Sequence, residues 1–322
     1  MSGIMTQETL KVRVRRRTLD AHDVVLLEME PCDGGMLPRF EAGAHVDVHL
    51  ADGLVRQYSL CGDPADTACY RLGVLRDPVS RGGSARVHEL CEGVELQISA
   101  PRNHFPLAAG ARRSLLYGGG IGVTPMIAMA YALHAAGADF ELHYCGRSRS
   151  RCAFLDELAR APFAARVHTH FDDEPAAQRL DLAASLGAPD AGTHVYVCGP
   201  TGYMDHVIAG ARAAGYADAQ VHREYFQMEV DTTGDSFEVV AAASGKAVTV
   251  AGDESIVQAL VRIGIDIPVS CEQGVCGTCL CTVLEGEPEH RDVYLTDEER
   301  ADNDQILVCC SRARSARLVL DI

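Results

Sequence analysis

Positive charge is scarce in this chain: 29 Lys and Arg stand against 45 Asp and Glu among 322 residues, a formal net charge of −16. Surfaces built to hold nucleic acid are basic, so the balance excludes that class of partner. The one basic run, Lys11 to Arg17 (KVRVRRR), alternates as an opening strand with a solvated face does. Long apolar runs are absent too. Nothing approaches the roughly eighteen consecutive apolar residues of a spanning helix, and the first residues carry no apolar run of signal-peptide length. A cytoplasmic protein with no membrane association is the expectation. Internal repeats and low-complexity tracts are also missing. What is present, 47% hydrophobic and 23% charged residues, is the composition of globular protein, long enough for two or three domains. Thirteen cysteines scattered through a chain of this size fit a reducing compartment better than a disulfide framework.

Four of those cysteines carry the strongest pattern. Cys271, Cys276 and Cys279 stand in the order C-x4-C-x2-C, and Cys309 follows after twenty-nine residues. This is the plant-type [2Fe-2S] spacing, in which one tight loop supplies three ligands and a distant segment the fourth. Zinc sites usually pair two short C-x2-C knuckles instead. Gly274, Gly277 and Thr278 keep the loop small enough to wrap an inorganic core. Cys310 and Cys281 are adjacent alternatives, but the spacing selects Cys309.

Upstream, short alternating segments from about residue 10 to 108 predict an antiparallel barrel. Within it, Arg56-Gln57-Tyr58-Ser59-Leu60 presents a cation, an aromatic ring and a hydroxyl on one short run. Such a trio suits a flavin: Arg56 for a phosphate, Tyr58 for the ring system or ribityl chain, Ser59 near the reactive ring nitrogen. Ser80-Arg81-Gly82-Gly83-Ser84 precedes a helix and reads as an anion site, or else as a glycine turn with Ser84 as an N-cap. One compact phosphate site, with no aromatic residue in 61–69 to stack an adenine, favours FMN over FAD.

From residue 111 strands and helices alternate, which predicts a parallel α/β sheet. Gly118-Gly119-Gly120-Ile121-Gly122-Val123-Thr124-Pro125 and Cys198-Gly199-Pro200-Thr201-Gly202-Tyr203-Met204 both end strands at the carboxyl edge, where nucleotides bind. The first is not the usual G-x-G-x-x-G. Arg147, Arg149 and Arg151 would favour NADPH, and Asp172, Asp173 and Glu174 would repel its extra phosphate. Residues 228–236 read as a linker before a small α+β domain.

With these motifs in order, the chain resembles the phthalate dioxygenase reductase family over nearly its whole length. The residues that carry the resemblance are RQYSL, SRGGS, GGGIGVTPM, CGPTGYM, Glu224-Tyr225-Phe226, CEQGVCGTC and the late LVCCSR. The resemblance implies three domains: an FMN-binding β-barrel (1–109), an NAD-binding α/β domain (110–227) and, after the 228–236 linker, a β-grasp ferredoxin domain (237–322). It implies that FMN is held by Arg56, Gln57, Tyr58, Ser59, Val74, Leu75, Arg76, Arg81, Gly82, Gly83, Ser84, Thr124 and Phe226, the last covering the ring face. It implies NAD contacts at Gly119, Gly120, Gly122, Thr124, Pro125, Arg147, Ser148, Cys198, Gly199, Pro200 and Met204, with Ser59, Thr124, Cys198 and Phe226 nearest the hydride path. The family's C-x-S-R ending again selects Cys309, and NADH is the implied donor.

A nicotinamide delivers two electrons as a hydride and a [2Fe-2S] cluster accepts one, so a flavin between them is chemically required. The implied activity is an NADH-dependent oxidoreductase that feeds a terminal Rieske-type oxygenase or demethylase. A cytochrome P450 as acceptor is the alternative. A flavin and iron–sulfur redox sensor is a third reading, although no output domain is present. In residues 236–322, Glu285, Glu287, Glu289, Asp292, Asp297, Glu298 and Glu299 are expected to form an acidic docking face for the acceptor.

Overall fold

The computed structural model describes residues 9–78, 82–227 and 230–322. The chain divides into two compact units, Met1–Glu224 and Tyr225–Ile322.

The first unit begins with strands β1 (Thr9–Ala21), β2 (Val24–Pro31), β3 (Ala44–His49), β4 (Val55–Ser59) and β5 (Tyr70–Leu75), helix α1 (Gly83–Glu89), then β6 (Glu95–Ser99) and β7 (Arg102–Asn103). The strands pair in the order β4-β3-β6-β1-β2-β5, with β7 on β3. Leu60, just past β4, bridges Leu72 in β5 and closes the sheet on itself. Closure into an antiparallel barrel leaves no long edge open. Alternation sets the faces: Val12 and Val14 are fully buried, while Lys11 and Arg13 reach Glu95 at 2.6 and 2.8 Å and Arg15 reaches Glu28 at 2.9 Å. The basic run is therefore a solvated strand face tied to acidic neighbours.

The same unit continues through β8 (Arg113–Gly119), α2 (Val123–Ala135), β9 (Asp139–Gly146), α3 (Leu155–Arg160), β10 (Val167–Phe171), α4 (Leu182–Leu186), β11 (Thr193–Cys198), α5 (Thr201–Ala214) and β12 (Val221–Glu224). Its strands are all parallel, in the order β10-β9-β8-β11-β12. The order reverses between β8 and β11, which opens a crevice at their carboxyl ends. Helix α2 is apolar nearly all round, and Val123 to Ala130 are buried. Barrel and α/β layer are joined by a bidentate pair, Arg71 with Glu157 at 2.8 and 2.5 Å, and by the Phe154 amide donating to Asp20 Oδ2 at 2.6 Å. Such a fork fixes orientation as well as distance.

In the second unit, β13 (Phe237–Ala241) and β14 (Lys246–Val250) form a hairpin, followed by α6 (Ile256–Arg262), β15 (Leu280–Glu285), β16 (Pro288–Glu289), α7 (Asp297–Asp302), β17 (Gln305–Leu307), β18 (Arg312–Ala313) and β19 (Arg317–Leu320). The main sheet runs β14-β13-β19-β15-β17, with β13 and β19 parallel and the other neighbours antiparallel. Ile256, Ala259 and Leu260 of α6 pack with Phe237, Val239, Val250 and Leu318 into one core. Ser255 and Thr296 close capping boxes at the starts of α6 and α7.

The expected linker is not loose where it is described. Arg312, buried, donates to the carbonyls of Thr232, Asp235, Ala251 and Glu254, and Arg291 donates to those of Asp231 and Thr233. Residues 231–235 are thus bolted onto the second unit by two guanidinium groups.

Candidate functional site

The cysteine loop lies between α6 and β15, with Cys271, Cys276, Cys279 and Cys309 all buried. The Cys271 thiol interacts with those of both Cys276 and Cys309. The Val308 amide donates to the Cys279 carbonyl at 3.3 Å, which sets the Cys309 segment beside the third cysteine. Contact with Cys271 and burial push the Cys276 thiol well up, and a strongly polarising cation would have to replace its proton. Gly274 and Gly277 take φ of +69° and +73°. A Cβ on Gly274 would lie 2.6 Å from Cys310 Sγ, and one on Gly277 2.5 Å from Tyr294 Cε2. Among the described residues no three Cys, His, Asp or Glu side chains stand together tightly enough for one metal ion. Cys271 meets Cys276 and Cys309 pairwise, and four thiolates shared over two irons are what a [2Fe-2S] core requires. The donor set fits that group.

On β4, the Arg56 side chain lies over the start of α1, where a Cβ on Gly83 would come 2.5 Å from Arg56 Cγ. Gly82 is left-handed at φ +94°. Ser80 and Arg81 lie outside the described residues. Ser84 is not the N-cap: that position is Gly82, and Ser84 Oγ instead accepts from the Asp77 amide at 3.0 Å. Gln57 Nε2 is buried with no hydrogen-bond partner, and burial pushes the Tyr58 phenol up. An orphaned donor beside a desolvated phenol is a place where a polar ligand atom compensates a cost. At the end of β5, Val74 is buried, whereas Leu75 and Arg76 face solvent.

Ser59 Oγ donates to Glu224 Oε2 at 3.4 Å, linking the end of β4 to the end of β12. Burial pushes the Glu224 carboxyl up to about 8, partly offset by Ser59. This group is absent from the site residues expected from sequence. Its signal was positional: an acid at the carboxyl edge of the last parallel strand.

The two glycine turns meet each other. A Cβ on Gly122 would lie 2.5 Å from both Cys198 C and Gly199 N, and one on Gly199 2.9 Å from Gly119 Cα. Gly119 also packs on the Tyr203 ring, and Gly120 is left-handed at +55°. Thr124 Oγ1 donates to the Ile121 carbonyl at 3.0 Å while its methyl lies 3.1 Å from where a Gly73 Cβ would be, so α2 starts against barrel strand β5. Pro125 is buried in the first turn of α2. The Pro200 carbonyl accepts from the Tyr203 and Met204 amides, and Met204 is buried. Cys198 is buried and its thiol is pushed well up by desolvation. These residues converge at the crevice between β8 and β11.

Arg147 is exposed, and Ser148 Oγ lies 3.2 Å from Ser150 Oγ. Arg149 pairs with Glu174 at 3.6 Å and lies over the Phe171 ring, so these two opposed charges offset one another. Phe226 belongs to the second unit. The expected acidic face changes character: Asp292 is buried and accepts from the Leu295 and Tyr294 amides, while Glu287, Glu289 and Asp297 pair with Arg314, Arg291 and Arg300.

Comparison with known proteins agrees with this geometry. Residues 241–314 match the model for the 2Fe-2S iron-sulfur cluster binding domain. A vanillate O-demethylase oxidoreductase from Pseudomonas sp. (strain HR199) is 52% identical over 316 residues, covering 97% of this chain and 100% of that one. The solved phthalate dioxygenase reductase, described as a modular structure for electron transfer from pyridine nucleotides to [2Fe-2S], aligns with a TM-score of 0.75 at 36% identity over 98% of both chains. An intact type IV self-sufficient cytochrome P450 monooxygenase aligns with a TM-score of 0.86 at 40% identity, over 98% of this chain and 41% of that one. No helix among the described residues is long and apolar enough to cross a membrane. With the barrel, the parallel α/β layer and the cysteine-bearing unit in the same order, the chain belongs to the phthalate dioxygenase reductase family of oxidoreductases, alongside the vanillate O-demethylase oxidoreductases.

Proposed function

We propose that this chain takes a hydride from NADH and delivers single electrons to a terminal Rieske-type oxygenase, using FMN and a [2Fe-2S] cluster. When bound, FMN would accept the hydride and the cluster would carry its electrons onward one at a time. The observation that carries the reading is the convergence of buried Cys271, Cys276 and Cys309 around a loop that admits no Cβ at Gly274 or Gly277.

The chain's own residues do the positioning. Arg56, with Gly82 and Gly83, offers a cation and close backbone for a phosphate at the start of α1. Gln57 and Tyr58 supply an unmet donor and a desolvated ring on the same strand. Gly119, Gly122 and Gly199 bring the two turns of the α/β layer together, so a dinucleotide can lie across bare backbone at the switch point. Ser59 and Glu224 hold a proton at the meeting of the two layers: with the carboxyl titrating at about 8, Glu224 is mostly neutral at pH 7. Phe226 is proposed as the ring cover, and the domain limits expected from sequence are kept.

A second acceptor is favoured by one observation. The likeness to a self-sufficient P450 monooxygenase, in which the matched part is 41% of a longer chain, supports a P450 acceptor as the alternative. The purified protein should release FMN and carry two iron atoms per chain. Mixed with NADH, it should support coupled substrate oxidation by a Rieske oxygenase and not by a P450. Release of FAD, or coupling to the P450 alone, overturns the respective part.

A further inference from the structure

The segment between β9 and α3, residues 147–154, reaches out of the α/β layer and grips the barrel. The His22 amide, just past β1, donates to the Ser150 carbonyl at 3.0 Å, and the Phe154 amide donates to Asp20 Oδ2 at 2.6 Å. Phe154 itself has φ +64° and ψ 5°, the left-handed region that a bulky residue seldom occupies. Its buried ring lies against barrel strand β5: a Cβ on Gly73 would stand 2.7 Å from Phe154 Cζ and 2.9 Å from Cε2, with the Thr124 methyl at 3.1 Å. Ring and methyl share the cover over Gly73, and only glycine leaves room for both.

A side chain that merely fills core volume needs none of this. Bulky residues persist in left-handed backbone where the surroundings over-determine them, and they cluster at functional sites. Here Asp20 holds the Phe154 amide, the Phe154 carbonyl accepts from the Leu158 amide at 2.8 Å, and Arg71 lies over the ring at 5.9 Å. Glu157 takes the Arg71 fork and also accepts from the Tyr131 hydroxyl of α2 at 3.3 Å. Strand β5 and helices α2 and α3 thus meet around one ring. Two of these elements carry what hydride transfer needs. Strand β5 runs from Gly73 into Val74, Leu75 and Arg76, the expected flavin contacts, and Thr124 stands at the start of α2 beside the glycine turn expected to hold the nicotinamide.

We propose that Phe154 is a positioning residue for hydride transfer, its ring setting the spacing between β5 and the start of α2. It acts through Gly73 and Thr124, and the inference rests on the hydride-transfer reading given above. Hydride transfer in that reading breaks a C–H bond of the dihydronicotinamide and moves the hydrogen with its electron pair to the flavin, oxidising the first and reducing the second. The reacting atoms must come within about 3–3.5 Å, and a misplacement of about 1 Å caused far from the chemistry can cost on the order of a hundredfold in rate. A ring lodged between the two supports is a stop against such misplacement. Its signature is slower transfer with little loss of affinity.

The test compares Phe154→Ala, Phe154→Leu and Gly73→Ala in the full chain loaded with FMN. The first two withdraw the ring, whereas Gly73→Ala pushes against it from β5, so a poorly folding Phe154→Ala leaves two variants to decide. Stopped-flow mixing with saturating NADH should show flavin reduction slowed at least about tenfold in Phe154→Ala and Gly73→Ala and less in Phe154→Leu. The isotope effect of deuterated NADH should be retained, and the Kd values for NADH and FMN should stay within about threefold of wild type. A readout free of turnover comes from thermal unfolding of the FMN-free protein. Gly73→Ala should lower Tm by about 3 °C in the wild-type background and by less than half as much in Phe154→Ala, where the ring it strikes is gone. Wild-type rates in both Phe154→Leu and Gly73→Ala, slowing that arises only from weaker binding, or equal Tm shifts in the two backgrounds overturn the positioning role. A wild-type protein that does not reduce FMN with NADH overturns the hydride-transfer reading and this inference with it, whereas rapid reduction by wild type and variants alike overturns the inference alone.

Discussion

The cysteine loop of the second unit and the glycine junction of the first solve the same problem, backbone brought close to a ligand, by opposite means. The loop is local: three thiols and two left-handed glycines lie within nine residues, and only Cys309 comes from afar. The junction is assembled from turns about eighty residues apart, in which Gly122 abuts Cys198 and Gly119 abuts Gly199. A local device announces itself in the spacing of residues. A non-local one shows its parts and conceals their contacts.

The sharpest way to break this comparison is Cys276→Ser. It should abolish the cluster and electron delivery to the acceptor, while NADH still reduces the flavin within about twofold of the wild-type rate, because the proposed hydride transfer precedes the cluster. Iron analysis with stopped-flow flavin reduction checks it. Loss of flavin reduction in a folded variant would reverse the proposed order of electron flow.

Arg312→Met comes next. Removing the guanidinium takes its hydrogen bonds from the carbonyls of Thr232, Asp235, Ala251 and Glu254, of which Ala251 keeps the Glu254 amide at 3.3 Å, and takes away a cation over the Phe237 ring. Buried hydrogen bonds to a charged group are worth about 1.5–3 kcal/mol each but are not additive, so a loss of roughly 3 kcal/mol for the second unit is expected. Denaturant unfolding followed through cluster absorbance measures it. A change under about 0.5 kcal/mol would place Arg312 among ordinary surface residues.

Gly122→Ala tests the junction. The added methyl meets backbone atoms of Cys198 and Gly199 at 2.5 Å, so one turn must withdraw from the other. The KM for NADH should rise about tenfold, corresponding to roughly 1.4 kcal/mol, with the cluster spectrum unaltered. An unchanged KM would show that the nucleotide does not use this crevice.

These outcomes also mark how far the sequence could be read. The barrel, the parallel layer and the α+β unit were each visible, because alternation of period two and strand–helix alternation are local properties. The first three cysteines were visible for the same reason, and Cys309 by its spacing from them. Arg312 stood in the quoted LVCCSR motif, yet its role depends on carbonyls up to eighty residues away, so nothing in the motif foretold it. Ser59 was expected at the site but its partner Glu224 was not, since their pairing requires the barrel and the parallel sheet to be docked first. Asp292 was misplaced on the surface. Its carboxylate accepts two backbone amides that only the folded turn at 292–295 presents, which buries a charge that composition alone puts in water.

The smallest expected effect concerns docking of the acceptor, and it follows from that last difference. Residues 236–322 hold fifteen Asp and Glu against seven Lys and Arg, a net of −8 that is half of the chain's −16. Of the seven acids expected to form the docking face, Asp292 is buried, Glu287, Glu289 and Asp297 are ion-paired, and Glu299 caps Thr296. Glu285 and Glu298 remain exposed as the acids best able to steer a basic partner. Two exposed charges give limited steering, and it is screened beyond a Debye length of about 8 Å at physiological salt. Raising ionic strength from about 0.05 to 0.5 M, where the screening length falls severalfold, should slow reduction of the acceptor a few-fold and leave NADH-dependent flavin reduction unchanged. Glu298→Lys should reproduce part of that slowing at low salt, whereas Glu287→Lys should do less than its charge suggests, because it also frees Arg314. Equal slowing by Glu287→Lys and Glu298→Lys would mean that net charge alone governs encounter, and faster transfer in either variant would mean that the acceptor presents acid, not base, to this unit.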